Sequence, residues 1–228
     1  MRQSRPPIVL LLALAALLLC APYVAADDDP LPYPFKVGAR WDYDVLVPAV
    51  GKVGSGSRYI EPRGMMMIQM DVRTSEKCGT YYYHLLPTPT TLEVDRAGFI
   101  PSKDGEPFEI IIDPPFPFFV NPEHHGPVDV RKTCRALSPS GELLGQGPAT
   151  FAIIERNVQL NDYPELYVTL LDQQFHRGIA QRSIVWMNPE LGIVRAKVKL
   201  NFLISVTWEL TKFTPPPGGI TPQHNPPQ

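Results

Sequence analysis

Charged residues and catalytic motifs are scarce in this chain of 228 residues, and each scarcity excludes a class of protein. Charged residues make up 19% of the sequence and the formal net charge is −2 at pH 7. No cluster of lysine and arginine stands out, so the protein lacks the basic patch that a nucleic-acid-binding protein needs. The sequence has no G-x-S-x-G motif and no phosphate-binding loop. We therefore expect that the protein is not an enzyme, that it binds no cofactor and that it has no catalytic residue.

Proline, in contrast, is abundant. The 27 prolines interrupt helices, because proline lacks the backbone N–H and clashes with the preceding turn. This density excludes a helical bundle. Apolar residues at 44% still describe a globular protein rather than a disordered one.

The amino terminus has the three regions of a secretory signal peptide. Arg2 and Arg5 precede an apolar run over residues 8–20, and Ala26 supplies a small residue for cleavage. The apolar run of 13 residues is too short to span a bilayer. The sequence thus predicts an exported protein, periplasmic or extracellular, with no transmembrane anchor after cleavage.

Two cysteines, Cys78 and Cys134, remain once the leader is removed. An exported protein can meet an oxidising compartment, where the two thiols could form one disulfide. Two buried free thiols are the alternative, because nothing local places the two Cα atoms within bridging distance.

Composition divides the mature chain into three parts. Residues 27–34 form an extended lead-in, residues 35–213 a single β domain and residues 214–228 a disordered tail rich in proline and glycine. Within the domain, alternating apolar residues predict strands around Trp41 and around Met66. The glycines of residues 51–57 predict a loop between them. The prolines of residues 113–127 predict a second loop, because proline is excluded from central strands.

The end of the domain has the clearest period of two. From Val194 to Leu210 the even positions are apolar, whereas odd positions such as Thr207 are mostly polar. Only a β-strand places such alternate residues on one face. This alternating segment is much longer than an ordinary strand, which favours a hairpin that turns near Asn201. Ile204 would then lie in the core and Thr207 would face solvent.

Two segments resemble the opening and closing signatures of a family of exported bacterial proteins of unknown function. Residues 33–43 (YPFKVGARWDY) resemble the opening strand, and residues 184–194 (IVWMNPELGIV) resemble the tryptophan strand and glycine turn of the closing hairpin. The resemblance implies an antiparallel half-barrel similar to the lipoprotein carriers of the bacterial envelope. These signatures specify folding positions and not chemistry.

Together these patterns predict an all-β or mainly β fold with little helix: an antiparallel, strongly curved sheet or half-barrel. The apolar face of this sheet must be covered by a loop, a ligand or a partner. Methionine and aromatic side chains suit an adaptable apolar ligand face. The predicted face comprises Trp41, Tyr43, Met66, Ile68, Met70, Phe116, Phe118, Ile204 and Trp208, and the core of the sheet adds Val198.

The function predicted from these residues is non-enzymatic binding of an apolar small molecule, a lipid or a protein partner on the concave face. The alternative is a structural or interaction module of the envelope or extracellular space that uses an exposed strand edge and the proline-rich tail. A metal-dependent enzyme built on His124 and His125 is a weaker hypothesis, because zinc ligands are usually spaced further apart. No metal residue is assigned.

Overall fold

The structure of the protein is a computed structural model that describes residues 30–48, 50–72, 79–101, 106–161, 163–176, 182–199 and 205–219. Of residues 70–72 only the backbone is described. The predicted signal peptide, Cys78 and Ile204 therefore lie outside the described residues. Within them, no helix occurs that is long and apolar enough to cross a membrane.

Antiparallel strands make up most of the described chain, and each follows its predecessor through a short connection. In chain order they are β1 (Arg40–Val47), β2 (Gly51–Glu61), β3 (Met65–Val72), β4 (Gly79–Pro87), β5 (Thr91–Pro101), β6 (Phe108–Val120), β7 (Asp129–Leu137), β8 (Leu143–Leu160), β9 (Tyr163–Gln173), β10 (Arg182–Asn188), β11 (Gly192–Lys199) and β12 (Ser205–Thr214).

The sheet closes on itself. Each strand pairs with its sequence neighbour, and β1 pairs with β12, for example Trp41 with Phe213 and Val45 with Trp208. The all-β antiparallel prediction is confirmed, but the predicted half-barrel is a closed barrel. Closure removes free edges, so the alternative interaction module has no free edge strand in the described part of the barrel.

Side chains alternate between the barrel interior and its outer face. On β1, Trp41, Tyr43 and Val45 are buried. The residues between them carry charge: Asp42 pairs with Arg40, and Asp44 pairs with Lys52. An apolar inner face and a charged outer face follow the alternation of an antiparallel sheet with one solvated face.

The closing hairpin is confirmed, with one correction to its outer face. β11 and β12 pair in register from Ala196 with Trp208 to Lys199 with Ser205, and the turn near Asn201 lies outside the described residues. Thr207, expected to face solvent, is buried at 8% exposure. Its short side chain lies in register between the longer side chains of Leu46 and Lys197.

The loop predicted over residues 51–57 is wrong, because this segment is the first half of β2. The glycines that indicated a loop have a packing role instead. A side chain at Gly56 would lie 2.5 Å from the ring of Trp208 and 3.1 Å from the carbonyl oxygen of Gln69. Glycine in a strand interior marks such a close approach.

The loop predicted over residues 113–127 is also wrong for its first half, because β6 continues to Val120. Its prolines lie where the ladder is irregular. Pairing of β6 with β7 stops at Asp113, and pairing with β5 shifts register between Val94 and Arg96. Pro114 and Pro115 therefore need no ladder N–H, which is how a strand tolerates proline.

One end of the barrel is plugged by the segment before β1. Leu31 and Phe35 are fully buried. The Phe35 ring centroid lies 5.4 Å from those of both Trp41 and Phe119. Trp41 Nε1 donates a 2.5 Å hydrogen bond to the carbonyl oxygen of Leu191, which ties β1, next to the plug, to the turn between β10 and β11.

The chain after β12 returns to the same end. Pro216 is buried, and Pro217 lies so close to Gly38 that a Cβ there would be 2.8 Å from the proline ring. These residues open the segment predicted as a disordered tail, and its remainder from residue 220 lies outside the described residues.

Candidate functional site inside the barrel

The barrel brings most of the predicted apolar face into one interior. The buried members are Trp41, Tyr43, Met66, Ile68, Phe116 and Trp208. Phe118 is half-buried, and its ring stacks on that of Tyr83 at 4.8 Å between centroids. Val198 is partly buried against the same core. For Met70 only the backbone is described, paired with Gly56.

Exposed apolar side chains gather at the opposite end from the plug, which we call the mouth. The mouth is the end where β2, β4, β6 and β8 begin. Among the described residues, every large exposed apolar side chain except Ile154 on β8 belongs to it: Val50, Tyr81, Ile100, Phe108, Leu143 and Leu144. Val50 and Leu143 are 70% and 54% exposed. Exposed apolar side chains that gather in one region mark a binding surface more often than single exposed apolar residues scattered over a protein do.

The segment after β9 covers part of the mouth. Phe175 is buried and makes an edge contact with Phe116 at 6.1 Å between ring centroids. The next residue, His176, stacks on Phe108 at 5.4 Å. Glycines 145 and 147 of β8 admit this segment, since a Cβ at either would meet the backbone of residues 174–175 within 2.6 Å. The cover thus lies over the β6–β8 side of the mouth.

Arg58 on β2 is a buried cation that the sequence analysis missed. It pairs in register with Trp41 and Ile68, both inward-facing, and it is 6% exposed. Its Cζ atom lies 5.4 Å from the centroid of the Tyr43 ring and 5.3 Å from that of the Trp208 ring. The guanidinium therefore lies beside two aromatic rings that are themselves in edge contact, with their centroids 5.7 Å apart.

Two tyrosine hydroxyls add polar groups to this interior. Tyr43 Oη donates a hydrogen bond of 3.0 Å to the carbonyl oxygen of Ile193. Burial raises the pKa of Tyr43, although the charge of Arg58 lowers it in part. Burial likewise raises the pKa of Tyr83 to about 12, again against the opposing charge of Arg58. Both hydroxyls stay protonated at neutral pH.

The inward direction of the Arg58 side chain could have been predicted from a short pattern in the sequence. Arg58 and Ile60 are two positions apart, and a strand places such residues on one face. The apolar Ile60 faces the core, so Arg58 faces the core as well. The glycines before Arg58 concealed this strand.

Neither the histidine pair nor Cys134 belongs to a metal-binding cluster among the described residues. Among the described residues no group of three or more His, Cys, Asp or Glu side chains lies close enough to hold a metal ion. His125 Nδ1 lies 3.3 Å from Tyr167 Oη. Cys134 is buried with a free thiol, and burial raises its pKa to about 11. Because Cys78 lies outside the described residues, the disulfide stays a prediction.

Comparison with protein-family models, with curated proteins and with solved structures gave no match. The resemblance to exported half-barrel proteins therefore stays a prediction.

Proposed function

We propose that this protein is an exported, non-enzymatic β-barrel that binds an apolar ligand in its interior and admits it through the mouth. The observation that carries the proposal is the asymmetry between the two ends. One end is plugged by Leu31 and Phe35, which are fully buried, whereas the other exposes a cluster of large apolar side chains. An apolar ligand would pass from these side chains to an apolar interior without leaving an apolar environment.

The number of strands supports an interior site. Barrel diameter grows with strand number, and about eight strands give an interior that side chains just fill or that holds one small ligand. The twelve strands here enclose a wider interior. Ala97, Ala149 and Ala196 also present small side chains to the core. The described members of the predicted apolar face line this interior, where Trp41 and Met66 are already fully buried by other side chains.

A dye-binding experiment tests this proposal. The purified protein is titrated with an environment-sensitive apolar dye, and tryptophan quenching reports its arrival, because Trp41 and Trp208 are interior. We expect saturable binding that long-chain lipids displace. Native mass spectrometry after gentle extraction should also detect a bound apolar molecule. A protein that binds no dye and carries no ligand would contradict the proposal.

Two residues with matched exposure test the route. Leu143 lies at the mouth and is 54% exposed, whereas Ile154 lies midway along β8 and is 53% exposed. Leu143→Asp should slow dye uptake and weaken binding several-fold, because it places a charge on the entry path. Ile154→Asp should leave both unchanged. Equal effects of the two substitutions would exclude the mouth as the route.

A further inference from the structure

Arg58 is an inward-facing cation for which the described residues provide no counter-ion. It is 6% exposed, and its Nε has no hydrogen-bond acceptor. An arginine side chain stays protonated and carries five N–H donors. The rings of Tyr43 and Trp208 attract the positive charge, but a ring face does not replace acceptors for N–H groups in the guanidinium plane.

The described acidic side chains on β1 and β12 do not neutralise Arg58. Alternation places them on the outer face of the barrel, where they pair with other cations. These pairs are Asp42 with Arg40, Asp44 with Lys52, and Glu209 with Arg195. A buried charge without a partner among the described residues is costly, so its presence favours an anion that binds beside it.

We propose that Arg58 binds the head group of an anionic amphipathic ligand, and that this ligand is a long-chain carboxylate whose tail lies among the apolar side chains of the interior. The inference rests on the proposed function and names the class of ligand for the same site. A carboxylate fits because its two oxygens match the planar fork of the guanidinium.

The surroundings of Arg58 divide the site into a head and a tail region. The charge of Arg58 acts on the pKa of the Tyr83 hydroxyl, which nevertheless stays protonated at neutral pH. Tyr83 can therefore donate a second hydrogen bond to the carboxylate. Met66 and Ile68 are buried on the neighbouring strand and offer apolar contact to the chain beyond it. Residues towards the mouth, such as Tyr81 and Phe99, whose rings lie 4.7 Å apart, continue this apolar path.

The test compares a long-chain fatty acid with the fatty alcohol of the same chain length, both titrated at a pH where the acid is ionised. Wild-type protein should bind the acid about ten- to a hundredfold more tightly than the alcohol, as expected for hydrogen bonds to a charged group. Arg58→Met should abolish this ratio while the alcohol still binds. Arg40→Met removes an exposed arginine and should leave the ratio unchanged.

Each other outcome is decisive. If both probes bind wild-type protein equally, or if Arg58→Met keeps the ratio, the carboxylate site is refuted while the proposed function stands. If neither probe binds, both proposals fail. If Arg58→Met does not fold, Arg58→Lys tests the carboxylate site in its place. Lysine keeps the charge without the fork, so the ratio should fall but stay above one, and an unchanged ratio would overturn the assignment.

Discussion

Trp41 connects four parts of the barrel, and its replacement is the sharpest test of the plugged end. The side chain is fully buried. Its ring lies 5.4 Å from that of Phe35 in the amino-terminal segment and 5.5 Å from that of Phe213 in β12. Its Nε1 donates to the carbonyl oxygen of Leu191. The plug, two paired strands and one turn therefore share this one side chain.

The magnitude follows from these contacts. Replacing a buried tryptophan by alanine costs about 3 to 5 kcal/mol through lost contact and the cavity left behind. The carbonyl of Leu191 also loses its donor, which costs about 1 to 3 kcal/mol. The sum approaches the whole stability of a domain, about 5 to 15 kcal/mol. Trp41→Phe keeps most of the ring contact and should cost about 1 to 3 kcal/mol.

Urea denaturation followed by far-ultraviolet circular dichroism measures these free energies of unfolding. Trp186→Ala is the matched control, because Trp186 is only partly buried and lies over the side chain of Arg195 at 5.3 Å. It should cost about 1 kcal/mol. If Trp41→Ala costs no more than Trp186→Ala, the amino-terminal segment is not a plug and the two ends of the barrel do not differ in the way proposed.

Three further predictions concern closure, packing and pH. Cysteines at Asp44 and Glu209, which pair across β1 and β12, should form a disulfide on oxidation in a background without the native cysteines; a sample that stays uncrosslinked on a non-reducing gel would indicate an open sheet. Gly56→Val should displace Trp208, whose ring a Cβ would meet at 2.5 Å, so tryptophan emission should shift and overpacking should cost about 1 to 3 kcal/mol. Burial raises the pKa of Cys134 from 9.0 to about 11. The thiol therefore loses its proton at lower pH in the unfolded chain than in the folded one, and stability falls as pH rises through this interval. In thermal melts across the same range Cys134→Ala should show a shallower decline than the wild type, and identical slopes would mean that the thiol is not buried.

The strands that the sequence predicted correctly are those with an uninterrupted period of two. β1 alternates buried and charged residues from Trp41 to Val45. The final hairpin alternates apolar and mostly polar residues in its sequence, although Thr207 is buried next to Trp208. Such alternation is local, so it can be read from a single segment. Barrel closure cannot be predicted in this way. Pairing of Trp41 with Phe213 joins residues at opposite ends of the domain, and no local pattern records that contact.

The errors in β2 and β6 have a different cause. Composition favoured loops, because glycine and proline weaken strands in general. In the barrel each has a specific neighbour: Gly56 admits the ring of Trp208, and Pro114 and Pro115 lie where β6 has no partner in β7. Tertiary packing therefore overrode local propensity at both strands.

These two strands also supply much of the candidate site. β2 carries Arg58 beside its glycines, and β6 carries Phe116 and Phe118 beside its prolines. Departures from local rules in natural proteins concentrate at functional sites, where the stability that they cost is offset elsewhere. A barrel selected only for stability would place an apolar residue at position 58, since an isolated buried charge is unfavourable. Retaining an arginine there is consistent with selection for binding, and it predicts that ligand-free Arg58→Met melts at a higher temperature than the wild type. A lower melting temperature would make Arg58 a structural cation stabilised by its aromatic neighbours, and it would refute the idea that Arg58 is retained at the expense of stability.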